Sequence, residues 1–453
     1  MHEKHHSKRL CNYVSKRRLI TINLAPADLP KEGGRYDLPI ALGILQASGQ
    51  LPEGALDGYE CLGELSLSGE LRPVSGLLPA VIAASETHNR ILVPQASLQE
   101  TSLCSKAIVF GASSLLAATG HLNQSKPLPE SEGNITLQCV QPLVRDNLSS
   151  VQGHYQARRA LEIAATGGHG LLFSGPPGTG KTMLARCLPG ILPSLSESDA
   201  LEVASIHSLC NQQVPGWRTP PWRSPHHTAS STALTGGGSH PRPGEISLAH
   251  HGVLFLDELP EFDRRTLEIL RQPMESGEIM ISRARHQVKF PARFQLLAAM
   301  NPCPCGFLGD KEKNCQCTPE QVQRYRRKLS GPLLDRIDLR VEVGRLPPAA
   351  LLKQPDTPPE SSETVRQRVH ETREFMLARQ NCLNTQLSSD DVMSNARLGE
   401  REKKLLETLA TRMQLSGRSL HRLMRVARTI ADMEKEERVS VKHLTEAVSY
   451  RQV

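Results

Sequence analysis

The chain has 453 residues, a formal charge of +7 and eleven cysteines, and no apolar run in it approaches the roughly 20 residues of a membrane span. That length accommodates about three ordinary domains, and the charge admits a nucleic-acid partner without requiring one. The cysteine count argues against a secreted disulfide framework in so long a chain, so thiols or a metal site in a reducing, cytoplasmic compartment are expected.

Residues 1–18, among them His2, His5, His6, Lys8, Arg9, Lys16, Arg17 and Arg18, lack apolar periodicity and read as a flexible basic arm. Alternation over 19–24 predicts a strand, and a turn over 26–34 leads into an apolar helix over 38–46. A hairpin over 62–74, a helix over 77–84 and a strand over 91–94 follow. This succession resembles the Lon-type protease domain, through Pro30-Lys31-Glu32-Gly33 and Gly63-Glu64-Leu65-Ser66-Leu67-Ser68-Gly69-Glu70-Leu71. Where that resemblance places a serine and a lysine, the chain has Arg35-Tyr36-Asp37 and Leu77-Leu78. A Ser/Lys dyad needs a hydroxyl and an amine base, so no peptidase activity is expected from 19–120. The Pro- and Ser-containing stretch 121–147 reads as a linker.

After an amphipathic helix from Tyr155, the apolar run Gly170-Leu171-Leu172-Phe173 leads into Gly175-Pro176-Pro177-Gly178-Thr179-Gly180-Lys181-Thr182 and then Met183-Leu184-Ala185. Strand, glycine turn and helix are thus consecutive, the context a P-loop requires. Its N–H groups and the helix N-terminus suit a triphosphate; Lys181 would reach the β- and γ-phosphates, and Thr182 would hold Mg²⁺. Downstream, Val253-Leu254-Phe255-Leu256 reads as a doubly buried strand that ends at Asp257-Glu258. Asp257 would bind Mg²⁺, and Glu258 would orient the attacking water of ATP hydrolysis. The Gly/Pro-rich stretch 215–244 reads as a long functional loop, in which His226 and His227 are either metal ligands or structural hydrogen-bonders.

Four motifs together resemble the magnesium-chelatase-like ATPases of the ComM/YifB branch: Arg223-Ser224-Pro225-His226-His227-Thr228, Pro243-Gly244-Glu245-Ile246-Ser247, Leu256-Asp257-Glu258-Leu259-Pro260 and Asn301-Pro302-Cys303-Pro304-Cys305-Gly306. The resemblance runs from about residue 19 to the C-terminus. It implies an α/β fold: an AAA+ P-loop core over 148–345, a linker over 346–362 and a helical lid over 363–453. Preceding these is an incomplete Lon-protease-like α+β domain, since 18 unrelated-looking residues replace a longer N-terminal section. A truncated product, reduced to an ATP-binding remnant, is therefore one expectation.

Within that resemblance, 275–290 is similar to the hairpin before sensor 1, with Arg283, Arg285, His286 and Lys289 as DNA contacts. Asn301 ends a buried strand at the γ-phosphate sensor position, and Arg336 in Leu333-Leu334-Asp335-Arg336-Ile337-Asp338 falls at the arginine finger. Arg418 takes the sensor 2 position. Cys303, Cys305, Cys315 and Cys317 can close a tetrahedral Zn²⁺ site, although C-x-C is tighter than the usual C-x₂-C; reduced thiols are the alternative. The resemblance implies a cytoplasmic, hexameric DNA-binding helicase of branch migration in natural transformation, using ATP and Mg²⁺. A chelatase-like ATPase that remodels a protein partner is the other enzyme reading.

Overall fold

The computed structural model describes residues 21–23, 34–87, 89–131, 146–212, 216–238, 241–283, 286–310, 312–347 and 359–451. The basic arm, the Pro30–Gly33 part of the Lon-like motif, Arg285 and much of both expected linkers lie outside these residues. The chain divides into two compact units, 1–140 with 200–217, and 141–199 with 218–453.

In the first unit, β1 (Tyr59–Cys61), β4 (Arg90–Pro94) and β5 (Ile108–Ala112) form a parallel sheet in the order β1-β4-β5. A short hairpin pairs β2 (Glu64–Leu65) with β3 (Leu71–Arg72). Helices α1 (Asp37–Ala47), α2 (Leu77–Glu86) and α3 (Leu115–Leu122) flank the strands, burying Leu38, Leu42, Leu78 and Val81. The expected strand over 19–24 does not form in its described part, 21–23, which is exposed and unpaired. Alternation alone cannot hold a strand without a neighbour for its backbone groups. Nor are residues 121–131 a free linker: the N–H of Leu128 donates to Nδ1 of His121 at 3.1 Å, and Glu130 bridges to Phe110. Leu77 and Leu78 are buried, and Arg35 donates to the Ser75 carbonyl at 2.6 Å, so both positions serve packing.

Residues 200–217, expected within the ATPase core, pack in this unit instead. Leu201 and Ala204 join the cluster of Leu77, Val81 and Ile91 because apolar side chains on one helical face need a partner surface.

The second unit is built on a five-stranded, all-parallel sheet. Its strands are β6 (Leu171–Ser174), β7 (Trp222–Arg223), β10 (Val253–Leu256), β13 (Gln295–Met300) and β14 (Leu339–Glu342), in the order β14-β6-β13-β10-β7. The residues of β6 and β10 are all buried, as helices on both faces of a parallel sheet require. Helix α4 (Tyr155–Gly167) precedes β6, and α5 (Lys181–Ile191) follows it. The stretch read as a long loop contains β7, a short helix Ser231–Thr235 and the paired strands β8 (Gly236–Gly237) and β9 (Arg242–Pro243). An antiparallel hairpin, β11 (Glu278–Arg283) and β12 (His286–Pro291), projects from the sequence before β13.

The C-terminal part is helical: α6 (Ser362–Gln380), α7 (Ser389–Ala396), α8 (Glu400–Arg412), α9 (Gly417–Met433) and α10 (Val441–Ser449). Leu423, Ile430 and Leu444 share one core with Leu161, Phe173 and Val341. A buried polar chain crosses this packing. His169, just before β6, binds Asp338 at 3.1 Å and Thr429 of α9 at 2.7 Å, and Asn384 reaches Thr429 at 3.0 Å and Asp432 at 2.8 Å. Burial alone would raise the Asp338 carboxyl, but His169 and Arg422 draw it down to about 2.

Candidate nucleotide site and cysteine cluster

In a parallel sheet all carboxyl ends open on one edge, and here the strand register brings three separate segments together on it. Met300 pairs with Ser174, so Asn301 stands beside Gly175; Leu256 pairs with Ala298, so Asp257 and Glu258 emerge one strand away. Lys181, at the start of α5, is 9% exposed, and its Nζ donates to the carbonyls of Gly175 at 2.7 Å and Pro176 at 2.8 Å and to Oδ1 of Asn301 at 3.1 Å. Burial depresses this ammonium, with Asp257 and Glu258 opposing the shift. A buried cation held mainly by neutral oxygens is a fitting seat for an anion.

Gly175 has no room for a side chain: a Cβ there would lie 2.1 Å from the Val343 carbonyl. The phosphate loop is thereby pressed onto the end of β14. The eleven-residue α5 directs its free N–H groups into the loop, as phosphate binding needs. Thr182 Oγ1 donates to Oδ2 of Asp257 at 2.8 Å, which puts a hydroxyl and a carboxylate together where Mg²⁺ would bind. The ion would neutralise phosphate charge and fix its orientation. These residues therefore fit both ATP and its metal.

Glu258 leaves the sheet in a left-handed conformation, φ 53° and ψ 45°, a strain of roughly 1 kcal/mol or more for a residue with a Cβ. Its N–H donates to Oδ1 of Asp257 at 2.9 Å, and its exposed side chain meets His227, with 3.2 Å between Oε2 and Nδ1. His227 reads from the sequence only as a metal ligand or a structural hydrogen-bonder; nothing local signals a partner beyond the end of another strand.

Beyond Asn301 the chain folds into a cysteine knuckle. The Sγ atoms of Cys303, Cys305 and Cys315 lie 3.4–3.6 Å apart, and all four sulfurs, with that of Cys317, fall within 4.8 Å of one another. Tetrahedral Zn–S bonds of about 2.3 Å place sulfurs roughly 3.8 Å apart, so this set fits the ion. Backbone N–H groups of Leu308 and Cys305 point at the Cys303 and Cys317 sulfurs from 3.3 and 3.4 Å, while, against a backbone N–H that lowers each, burial and the neighbouring sulfurs leave the Cys315 and Cys317 thiols raised. The Phe307 N–H is the chief group drawing the Cys305 thiol down to about 6. The knuckle also abuts the phosphate loop, since a Cβ on Gly306 would lie 2.6 Å from the Pro177 ring.

Arg336 is 9% exposed and engaged within its own chain, donating to the Pro332 carbonyl at 2.6 Å and to the Glu275 carboxylate. Neither Asp335 nor Asp338, the acidic neighbours in its own motif, supplies that pair. Arg418 is exposed at the start of α9, whereas Arg422 donates to the Arg336 carbonyl at 2.8 Å and to Asp338 at 3.1 Å. On the hairpin, Arg283 pairs in register with His286 across the tip, and Lys289 reaches Glu278 at 3.4 Å.

Residues 147–351 match the family of magnesium chelatase, subunit ChlI, and residues 359–451 match its C-terminal part; a further ChlI match covers residues 5–97, reaching into the stretch expected to be an unrelated arm. The chain is 49% identical to YifB of Escherichia coli over 96% of its own length and 85% of that protein's. It is 46% identical to the competence protein ComM of Haemophilus influenzae, over 97% and 86% of the two chains. The magnesium-chelatase 38 kDa subunit of Cereibacter sphaeroides is more distant, at 26% identity over 34% of this chain and 52% of that one. With the P-loop, the acidic strand end and the five-stranded parallel sheet in place, the chain belongs to the ComM/YifB family of magnesium-chelatase-like AAA+ ATPases.

Proposed function

We propose that this ATPase assembles into a ring, as a hexamer, and converts ATP hydrolysis into movement on DNA, with branch migration during natural transformation in the cytoplasm as its setting. One observation carries the chemistry: at the carboxyl edge of the sheet Lys181 bonds Asn301 at 3.1 Å and Thr182 bonds Asp257 at 2.8 Å, with Glu258 next to Asp257 in the chain. In this reading Lys181 binds the β- and γ-phosphates, Thr182 and Asp257 hold Mg²⁺, Glu258 orients water and Asn301 senses the γ-phosphate. Arg336 is the finger offered to a neighbouring subunit, and Arg418 is sensor 2. The β11–β12 hairpin, with Arg283, Arg285, His286 and Lys289, supplies the DNA contacts. Support for DNA comes from these basic residues and from the likeness to a protein named for competence. The first unit serves as a Lon-like domain without proteolytic chemistry. Among the described residues no helix is long and apolar enough to cross a membrane.

The test is ATP turnover of the purified chain at low and moderate salt, with and without single-stranded and forked DNA. DNA should stimulate turnover, and the stimulation should fall steeply as salt rises, because phosphate contacts release counterions. Turnover indifferent to DNA would instead favour remodelling of a protein partner, the reading closest to the chelatase subunits. ATP binding without turnover would identify a remnant.

The cysteine cluster is proposed to hold one structural Zn²⁺. Metal analysis should find stoichiometric zinc in the purified chain and its loss in a Cys303→Ser/Cys317→Ser variant, with a lower melting temperature. Zinc retained at full stoichiometry in that variant would remove these ligands from consideration.

A further inference from the structure

Two walls press on the phosphate loop from elsewhere in the chain. The first is the end of β14: the N–H of Val343 donates to the Ser174 carbonyl at 2.7 Å, and the Val343 carbonyl is the group that leaves Gly175 no room for a side chain. The second is the arm 303–310 of the cysteine knuckle. Gly306 turns there with φ 84°, its N–H bonded to the Cys303 carbonyl at 3.0 Å, and a Cβ on it would lie 2.6 Å from the Pro177 ring and 3.8 Å from the Asn301 carboxamide carbon. The bare backbone of the knuckle therefore packs against both the loop that would hold phosphate and the residue that would sense it.

Arg345 joins the two walls. Two residues beyond Val343, it donates through Nε to Oδ2 of Asp310 at 2.7 Å, and its guanidinium lies 5.8 Å from the centre of the Phe307 ring. The Asp310 side chain is 1% exposed, and its other oxygen, Oδ1, accepts from the N–H groups of Glu312 at 2.8 Å and Lys313 at 3.4 Å, on the way to Cys315. Asp310 thus links the two halves of the knuckle that a shared metal would also link, and Arg345 carries that link to the end of β14. The Arg345 side chain is 29% exposed, so water reaches part of the contact.

We propose that Arg345 is a positioning residue that holds the cysteine knuckle against the phosphate loop, so that the affinity for ATP depends on the metal in the knuckle. Metal occupancy then gates nucleotide binding rather than only stabilising the fold. The inference rests on the readings of the loop as the ATP seat and of the four cysteines as a Zn²⁺ site.

The test compares the full chain with its Arg345→Ala and Arg345→Lys variants, since the contact is a single Nε bond that an ammonium can also make. Zinc content, thermal melting and affinity for a fluorescent, non-hydrolysable ATP analogue are measured for each, before and after zinc is stripped by a chelator that is then removed. Arg345→Ala should keep its zinc and bind the analogue about tenfold more weakly, the scale of one partly solvated charge-assisted hydrogen bond, with Arg345→Lys recovering most of that loss. Stripping the wild type should weaken binding by at least the same factor, and added Zn²⁺ should restore it. In Arg345→Ala, stripping should cost less than the product of the two separate losses, because both act through one contact. An affinity unchanged in Arg345→Ala, or one that falls only together with zinc content, would overturn the positioning role. Should Arg345→Ala not fold, the wild type still decides: a stripped chain that binds the analogue as tightly as the loaded one overturns the gate. A wild type that holds no zinc defeats the metal reading while the affinity of Arg345→Ala still decides the contact, and a wild type that does not bind the analogue defeats the nucleotide reading and the proposal with it.

Discussion

Lys181→Ala will abolish ATP binding, whereas Glu258→Gln will leave binding intact and lower turnover by at least about a hundredfold, the scale of removing one water-orienting or charge-stabilising group. The two residues stand on one sheet edge but do different work. Lys181 is the buried cation of the loop, and its Nζ holds Gly175, Pro176 and Asn301 at 2.7, 2.8 and 3.1 Å. Truncation removes the charge that phosphate requires and leaves the Gly175 carbonyl and Oδ1 of Asn301 without this donor, each costing roughly 1 kcal/mol or more where it is buried, while the Pro176 carbonyl keeps the Thr179 hydroxyl. The Glu258 side chain is exposed and meets His227, and its one bond to the Lys181–Thr182–Asp257–Asn301 set runs from its backbone N–H to Asp257, so its amide analogue leaves that seat unchanged. Titration with a fluorescent ATP analogue separates the two effects, phosphate release measures turnover, and thermal melting checks that Lys181→Ala remains folded. Hydrolysis surviving in both variants would sink the site assignment.

The nucleotide site was legible because its parts are local or written in burial. The P-loop is one contiguous motif, and parallel strands covered on both faces appear as unbroken apolar runs such as Val253–Leu256. Once those strands are placed, parallel pairing brings Asn301 and Asp257 to the loop without further information. What stayed hidden depends on contacts across long sequence separations. Glu275 and Arg336 are 61 residues apart, and His227 and Glu258 follow different strands with no spacing rule between them. The strand expected over 19–24 followed from alternation, which reports a pattern of faces but not the presence of a neighbour. Helix α7, only eight residues long, is too short for its periodicity to stand out, and the exchange of 200–217 into the first unit is a packing choice rather than a local one.

Arg336→Ala chains will be nearly inactive alone, with turnover down about a thousandfold, and will regain activity when mixed with Lys181→Ala chains. In the mixture each variant lacks a different half of one composite site. The first keeps its phosphate loop, while the second, unable to bind ATP, still presents Arg336. Activity above either pure preparation therefore reports a guanidinium donated between subunits. The structure says what that donation requires: Arg336 is held by the Pro332 carbonyl and by Glu275, which belongs to the short helix just before β11. Its backbone is fixed from α9 through Arg422, which bonds both the Arg336 carbonyl and Asp338. The main chain would stay anchored while the guanidinium exchanges Glu275 for a neighbour's γ-phosphate, and a carboxylate beside the β11–β12 hairpin would be placed to report engagement of DNA if that hairpin contacts it as proposed. A merely structural Arg336 predicts a different pattern, in which the variant melts early and mixing restores nothing. Full activity in pure Arg336→Ala would exclude it as the finger and leave the ion pair with Glu275 as its whole role.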